Sequence, residues 1–317
     1  MSKIAITLGD PCSIGAEITQ KALMELSDKG KIDLSKFILI GNLKVFGETP
    51  KNIDFIDIKP QKELQMGKPS KQSGEVAFKS IMQAVELAKT DKVKAIVTAP
   101  ISKYAINLAG YDFSGHTEIF DKYLSKSGNA QMLFVTGDFR VLLLTRHLPL
   151  IKVPSVLTQK FIETEIEKLY KSLKKIGLKV PKIALCGLNP HAGEEGLLGK
   201  EEQTEFLPAI KSLREKGIDI EGVFAADMLF SKAAKTYREG QKQPYDCYAA
   251  AYHDQGLCAV KTLDLEKTVN VTTGLKVIRT SPAHGTAFDI AGHGVASAES
   301  MKQAIILAYE TALMKNY

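Results

Sequence analysis

Short aliphatic or β-branched runs alternate with longer amphipathic stretches along most of this chain. The alternation predicts strands and helices in turn, which is typical of α/β proteins with a largely parallel sheet. Strands are predicted at residues 4–8, 37–40, 95–98, 183–186, 218–223 and 248–252. The clearest predicted helices cover residues 73–89, 160–176, 202–215 and 297–314.

One segment departs from this alternation. Residues 131–134 and 141–145 flank Gly137 and Asp138, a pattern that predicts a β-hairpin. A hairpin inside an α/β chain indicates a second domain or a dimerisation element. The 317 residues exceed the ~150 that one domain usually takes, so two domains are expected. Residues 47–74, poor in periodicity, predict a surface excursion.

Composition excludes several classes of protein. No apolar run reaches the ~18 residues of a membrane-spanning helix and no signal segment is present, so we expect a cytoplasmic protein without a membrane partner. The 42 basic residues are interleaved with 36 acidic ones and Trp is absent, which favours solvated helix faces over a nucleic-acid-binding stripe. The four cysteines form no C-x-x-C pair and predict free thiols.

Several familiar cofactor and catalytic motifs are missing. No G-x-G-x-x-G follows a strand, since the nearest approach, at Gly292, has Ser297 in place of the third glycine. Walker, H-E-x-x-H and G-x-S-x-G motifs are absent as well. A dinucleotide, if one is used, is therefore held without the Rossmann glycine motif.

Three histidines give the first indication of chemistry. His147 follows the second arm of the hairpin, while His191 and His253 follow predicted strands in N-P-H-A-G-E and Y-H-D-Q-G. Open α/β sheets bind ligands at the carboxyl ends of strands. Three neutral imidazoles with open positions suit a catalytic divalent metal such as Zn²⁺ or Co²⁺. Asp254 is suited to orient the His253 ring or simply to begin a helix, and the two interpretations are compatible.

A second group is spaced at intervals of nine residues: Lys261, Asn270 and Arg279. Arg279 lies among apolar and small residues, where an idle guanidinium is costly to desolvate. A guanidinium fork with an ammonium and an amide fits a phosphate dianion. A cation at the rim of a site is the alternative.

Two turns that precede predicted helices are also candidates. Asp10 lies in L-G-D-P-C-S-I-G, in a Gly/Pro turn that either faces a ligand or leads to a cap at Ser13. The S-G-H-T-E run at 114–118 offers backbone amides and a hydroxyl at a helix start, which favours anions. A simple helix cap is again the alternative.

Taken together, these motifs resemble one family. The segments G-D-P-x-x-I-G at 9–15, T-A-P-I-S-K at 98–103, S-G-H-T-E at 114–118, N-P-H-A-G-E at 189–194, A-D at 226–227, Y-H-D-Q-G at 252–256 and R-T-S with H-G-T-A at 279–287 resemble the 4-hydroxythreonine-4-phosphate dehydrogenases of pyridoxal phosphate biosynthesis. The resemblance spans essentially the whole chain. Cys12-Ser13 and Ala16 depart from the family's usual residues in loops, and not at the proposed ligands.

The resemblance implies a homodimer of two-domain α/β subunits with the isocitrate-dehydrogenase-like fold and mostly parallel or mixed sheets. It implies an active site in the interdomain cleft at the dimer interface. NAD or NADP would be the cofactor, with one divalent metal (Zn, Co or Mg) in each active site. We expect a first domain at residues 1–125 and 280–317, and a second at 126–279 that includes the hairpin.

Site residues carry over from the family position by position. The metal ligands would be His147, His191 and His253, contributed by both subunits. Substrate contacts would come from His116, Thr117, Lys261, Asn270 and Arg279. Candidates for the catalytic base are, in falling order, Asp254, Asp227 and Lys103.

The implied reaction is NAD-dependent oxidation of 4-phosphooxy-threonine at its C3 hydroxyl, with decarboxylation to 3-amino-2-oxopropyl phosphate. A dehydrogenase of another phosphorylated four-carbon acid is one alternative. A hydrolase whose metal is held by three histidines and activates water is another. A catalytically inactive binding protein with the same fold is the third.

Overall fold

A computed structural model describes residues 3–125 and 130–313 of the chain. The strands are β1 Lys3–Thr7, β2 Phe37–Gly41, β3 Asp54–Asp57, β4 Val93–Thr98, β5 Gln131–Thr136, β6 Phe139–Leu143, β7 Ile183–Cys186, β8 Ile220–Phe224, β9 Cys247–Ala250, β10 Val269–Thr273 and β11 Ile278–Pro282. The helices are α1 Gly15–Asp28, α2 Leu43–Phe46, α3 Lys71–Lys89, α4 Lys103–Leu108, α5 His116–Leu124, α6 Val153–Val156, α7 Gln159–Lys175, α8 Leu207–Glu215, α9 Ala226–Arg238, α10 His253–Asp264 and α11 Glu299–Leu313.

The chain forms two compact units. The first unit comprises Met1–Ala130 and Val269–Tyr317, and the second comprises Gln131–Thr268. The sequence prediction placed its domain boundaries after residues 125 and 279 instead. Residues 126–129, where the first of those boundaries falls, lie outside the described residues.

The first unit has the strand order β3-β2-β1-β4-β11-β10. Its strands pair in parallel except β10, which is antiparallel to β11. All five residues of β2 are buried, as expected for parallel strands with both faces covered. One apolar core lies between β1, β2, β4 and the helices α3 and α5, and α11 packs on β4 and β11.

The second unit has the strand order β5-β6-β9-β7-β8. Strands β5 and β6 form an antiparallel hairpin, while β6, β9, β7 and β8 pair in parallel. Phe139, Phe230 and Tyr248 fill much of its core, and the buried Tyr248 hydroxyl donates to Gln243 Oε1 at 2.6 Å. This bond satisfies the one polar atom that the tyrosine takes into the core.

The structure confirms the predicted α/β class and the hairpin. Every predicted strand and helix is present, with ends displaced by a few residues. The predicted 202–215 helix starts with a π-helical turn, Glu202–Phe206, before α8, and residue 314 lies outside the described residues. Residues 47–74, predicted as a surface excursion, contain the short strand β3 and the start of α3.

All four cysteines are free, as expected: Cys12, Cys186 and Cys247 are buried and Cys258 is exposed. Among the described residues, no helix is both long enough and apolar enough to cross a membrane.

Candidate active site

The second unit gathers several candidate residues at one edge of its sheet. Since β6, β9, β7 and β8 are parallel, their carboxyl ends meet at the same edge. His147 follows β6, His253 follows β9, His191 follows β7, and Asp227 follows β8 at the start of α9. The prediction of histidine loops after strands therefore agrees with where the structure places these residues.

Hydrogen bonds connect the segments that leave these strands. Thr145, beyond β6, donates its backbone N–H and its hydroxyl to Ala251 O, beyond β9, at 3.2 and 2.8 Å. Gln255 accepts from Ala251 N at 2.7 Å and donates its Nε2 to Gly187 O, beyond β7, at 2.8 Å. The backbones that carry the three histidines are thus fixed to one another.

Two of the imidazoles lie side by side. The ring centroids of His147 and His253 are 5.7 Å apart. His253 Nδ1 is 2.6 Å from Asp254 Oδ1, and this bond leaves Nε2 of His253 for another ligand. Asp254 also lies in the first turn of α10, so both interpretations of this residue hold.

The third imidazole is carried by an unusual turn. Residues 191–195 all have left-handed backbone angles, with φ between 45° and 81°. Four of the five are not glycine, and each such residue costs about 1–2 kcal/mol. Within the described part of the chain, no three His, Cys, Asp or Glu side chains are grouped as a metal site. His191 lies at the same sheet edge as His147 and His253 but does not form a triad with them.

The first unit carries the phosphate-type candidates. Arg279, in β11, is only 3% exposed. Its Nε and one terminal nitrogen donate to Thr98 Oγ1 at 2.9 and 2.6 Å, and the other terminal nitrogen donates to Thr272 Oγ1 at 3.2 Å. Among the described residues, no carboxylate lies within the 4.0 Å of an ion pair with this guanidinium. A buried cation bound only to hydroxyls is well placed to receive an anion.

The positive charge of Arg279 affects the pKa of His116, the first residue of α5. Its Nε2 is buried without a hydrogen-bond partner. Burial, followed by repulsion from Arg279, holds the pKa of His116 well below its usual value. Burial also lowers the pKa of Arg279 to about 9, so the guanidinium keeps its charge at neutral pH. A neutral imidazole and a guanidinium therefore lie close enough to interact and leave bonding capacity unused.

Asn270 shares the sheet face of Arg279. Arg279 is paired with Thr272, and Asn270 lies two residues before Thr272 on β10, so all three side chains point to the same face. The side-chain oxygen of Asn270 is buried and has no hydrogen-bond partner. His116, Asn270 and Arg279 thus offer unused polar atoms within one unit.

The remaining candidates are less closely grouped. Thr117 is buried in the first turn of α5. Lys103 is exposed at the start of α4, and its Cε lies 3.6 Å from the position that a Cβ on Gly115 would occupy. Lys261 is exposed in the last turn of α10 and belongs to the second unit, unlike Asn270 and Arg279. Its regular nine-residue spacing from them therefore does not correspond to one repeated element.

Asp10 is fully buried in the turn after β1 and accepts hydrogen bonds from Cys12 N at 2.9 Å and Ser73 Oγ at 3.1 Å. Burial raises the pKa of this carboxyl to about 6. The preceding Gly9 has φ 71° and lies so close to Pro100 O that a Cβ would be 2.1 Å away. Asp10 thus connects the β1 turn to the start of α3, and it does not cap α1 directly.

Comparison with known proteins decides the family. A family model described as "Pyridoxal phosphate biosynthetic protein PdxA" matches residues 8–308. The chain belongs to the PdxA family. It is 40% identical to a 4-hydroxythreonine-4-phosphate dehydrogenase of Synechococcus sp. (strain JA-3-3Ab), with 99% of this chain and 95% of the relative covered. It is 38% identical to a D-threonate 4-phosphate dehydrogenase of Cupriavidus necator, with 98% and 97% covered.

Solved structures agree with this membership. The crystal structure of 4-hydroxythreonine-4-phosphate dehydrogenase from Klebsiella pneumoniae superimposes with a TM-score of 0.84 at 35% identity, and 98% of this chain and all of that chain are covered. A β-decarboxylating dehydrogenase from Thermococcus kodakarensis shares the fold, with a TM-score of 0.54 at 15% identity and coverage of 98% and 83%. The resemblance inferred from the motifs is confirmed.

Two residues of this PdxA-family chain were missed at the sequence level. Gln255 stands in Y-H-D-Q-G, but only the fold shows that its amide connects two strand ends. Glu202 is 3% exposed and accepts from the backbone N–H groups of Leu188 and Asn189, both at 2.8 Å. The adjacent acids Glu201 and Glu202 were a weak signal, because surface helices often carry such pairs.

Proposed function

We propose that this PdxA-family chain is an NAD(P)-dependent dehydrogenase of a phosphorylated four-carbon hydroxy acid. Its substrate is 4-phosphooxy-threonine, oxidised at the C3 hydroxyl and decarboxylated to 3-amino-2-oxopropyl phosphate. The buried Arg279 guanidinium, whose hydrogen bonds within residues 3–125 and 130–313 go to threonine hydroxyls, is the observation that carries the proposal. The relatives' names supply the reaction class, since they are dehydrogenases of 4-phosphate esters.

The terminal phosphate would bind at the first unit. Arg279 presents two N–H-bearing edges, and a guanidinium binds phosphate through parallel bonds. His116 Nε2 is unpartnered in the same unit, and Asn270 could turn its amide nitrogen to the same ligand. Thr117 and Lys261 complete the proposed set of substrate contacts. Binding the phosphate far from the reacting carbon lets binding energy position the hydroxyl.

The three imidazoles of the second unit are ligands of the type that Zn²⁺ or Co²⁺ prefers, and we propose that one divalent cation, with Mg²⁺ as a further candidate, binds there. His147 and His253 would hold it with His191, and the Asp254 carboxylate keeps the proton of His253 on Nδ1. When bound, such a cation supplies positive charge that favours ionisation of an alcohol and offsets the charge that develops on oxygen. NAD or NADP would accept the hydride. Asp254, Asp227 and Lys103 remain, in that order, our candidates for the base that takes the hydroxyl proton.

We further propose that the protein is a homodimer whose subunits share the metal ligands. Large apolar side chains are exposed beside two of the histidines: Leu150 (66%) and Ile151 (88%) follow His147, and Leu197 (80%) follows His191. Exposed apolar patches mark interaction surfaces. A second copy that covers them would lie beside the proposed metal ligands. The buried free thiols fit a reducing compartment, and we propose the cytoplasm.

A second substrate deserves a direct test, because relatives named for D-threonate 4-phosphate are as similar as the others. The two acids share the carboxylate, the C3 hydroxyl and the phosphate, and they differ at C2, which carries an amino group or a hydroxyl. The proposed phosphate contacts do not distinguish them. Discrimination must therefore come from groups that face C2.

The experiment is a substrate panel with NAD or NADP and a divalent cation. Reduced cofactor should form with 4-phosphooxy-threonine, more slowly with D-threonate 4-phosphate, and not with the unphosphorylated acids. His253→Ala should abolish this turnover while the unfolding free energy stays within about 1 kcal/mol of wild type, since the side chain is partly exposed. Phosphate release without cofactor reduction would instead establish the hydrolase alternative.

A further inference from the structure

The backbone around His191 adopts a conformation that L-amino acids avoid. His191, Ala192, Glu194 and Glu195 have φ between 45° and 54°, and Gly193 between them has φ 81°. Steric clashes of Cβ with the backbone disfavour this conformation, and successive residues rarely share it. Such a turn persists only when its surroundings determine it. Some group near the turn must therefore hold it in place.

Glu202 is a buried carboxylate beside the start and the middle of this turn. Its carboxylate is buried, and Oε1 accepts from Leu188 N and Asn189 N at 2.8 Å each. Its Oε2 accepts from Asn189 Nδ2 at 3.0 Å. In the described structure, no Lys, Arg or His lies within 4.0 Å of these oxygens, so N–H donors alone offset the charge. Burying a carboxylate without a cationic partner costs folding free energy, so we ask which function its geometry serves.

The carboxylate also fills the inside of the turn. A Cβ on Gly193 would lie 2.6 Å from Glu202 Oε2, so the turn closes directly over this oxygen. Asn189 O accepts from Ala192 N at 3.1 Å, and Gly193 O accepts from Leu198 N at 3.0 Å. Glu202 thus binds the backbone just before the turn, at Leu188 and Asn189, and lies against the backbone in the middle of the turn, at Gly193.

We infer that Glu202 is a positioning residue for His191: its buried carboxylate sets the left-handed turn that determines where the imidazole points. It does not touch His191 and acts only through the backbone of 188–193. The inference deepens the proposed function, because the value of a fixed His191 rests on its proposed role as a metal ligand. The shape of the turn can nevertheless be measured without metal or substrate.

The test uses three variants of the full chain. Glu202→Ala removes both oxygens, whereas Glu202→Gln keeps one oxygen that can still accept from both backbone N–H groups. Glu163→Gln is the matched control, because Glu163 is a carboxylate of the same unit that is 7% exposed and bound to Gln159 and Lys216 instead. Denaturant unfolding measures the stability of all three.

The first readout is hydrogen exchange of residues 187–199 in the metal-free protein. Exchange there should accelerate strongly in Glu202→Ala, less in Glu202→Gln, and not in Glu163→Gln even when its overall stability falls. The second readout is the affinity for Zn²⁺ alone, measured by chelator competition, which should fall about 10- to 100-fold in Glu202→Ala. With substrate, kcat should fall in the same order while KM changes little.

Unchanged exchange in Glu202→Ala, or equal acceleration in Glu163→Gln, would overturn the inference. If the wild type binds no Zn²⁺, the proposed metal site fails, but the exchange results still decide whether Glu202 holds the turn. If exchange accelerates and Zn²⁺ affinity stays unchanged, Glu202 holds the turn without positioning a ligand, and the inference fails.

Discussion

At the scale of single residues, Arg279 is a buried cation whose hydrogen bonds go to two threonine hydroxyls. Arg279→Lys keeps the charge but loses the planar fork, and it should raise KM for the phosphorylated substrate roughly 10- to 100-fold, the range of one or two charge-assisted hydrogen bonds. The change in kcat should be smaller. Steady-state kinetics measure both, with the exposed Arg238→Lys as the control. An unchanged KM for the phosphorylated substrate in Arg279→Lys would contradict phosphate binding at Arg279.

Asp10 makes stability depend on pH. Burial raises its pKa from 3.8 to about 6, so the folded protein binds the proton more tightly than the unfolded chain. The stability that protonation provides is present at low pH and is lost as pH rises through the window from about 4 to about 7. A shift of this size corresponds to roughly 3 kcal/mol.

Asp10→Asn removes that titration and keeps groups able to bond Cys12 N and Ser73 Oγ. Its unfolding free energy, relative to wild type, should increase as pH rises across this window. Urea unfolding at several pH values measures the difference. A constant difference would show that the Asp10 carboxyl has an ordinary pKa.

At the scale of elements, the sequence predicted the structure where hydrophobic periodicity is uninterrupted. The helix α7 and the strand β7 were predicted almost to the residue, because apolar positions recur regularly in one and form a single run in the other. Strands β10 and β11 were missed. They carry Asn270 at a half-buried position and Arg279 at a buried one, and polar residues at such positions break the hydrophobic pattern on which the prediction depends.

Gln255 connects elements of the second unit, between Ala251 beyond β9 and Gly187 beyond β7. Gln255→Glu retains the acceptor for Ala251 N but places a carboxylate oxygen against the Gly187 carbonyl. Its unfolding free energy should fall by about 1–3 kcal/mol, the cost of an unsatisfied buried polar group. Gln20→Glu in α1, where the amide donates to Glu48 O in an exposed hydrogen bond, should change little in the same denaturant series. Equal stability of the two variants would remove Gln255 as a connecting residue.

At the scale of the whole molecule, the apolar side chains beside His147 and His191 predict self-association. Ile151→Glu combined with Leu197→Glu should convert the dimer to a monomer and lower turnover together, because a charged side chain is costly to bury in an interface. Sedimentation measures the mass, and kinetics at several protein concentrations measure the coupling. Val180→Glu, at an exposed apolar residue away from the histidines, is the control. A monomeric wild type with full activity would contradict shared sites.

The candidate site was predictable in outline because parallel strands bring their carboxyl ends to one edge, wherever the residues stand in sequence. This rule placed His147, His191 and His253 together in one unit. It could not find Glu202, whose importance arises from burial beside a left-handed turn. Nor could spacing show that Lys261 belongs to a different compact unit from Arg279.

We propose that this chain couples oxidation of a phosphorylated hydroxy acid to loss of its carboxylate. The most direct measurement follows reduced nicotinamide cofactor and released CO₂ in one reaction mixture with 4-phosphooxy-threonine. The two should appear in equal amounts, both should stop when a chelator removes the divalent cation, and both should resume when the cation is restored. Neither product forming in the presence of substrate, cofactor and metal would contradict it.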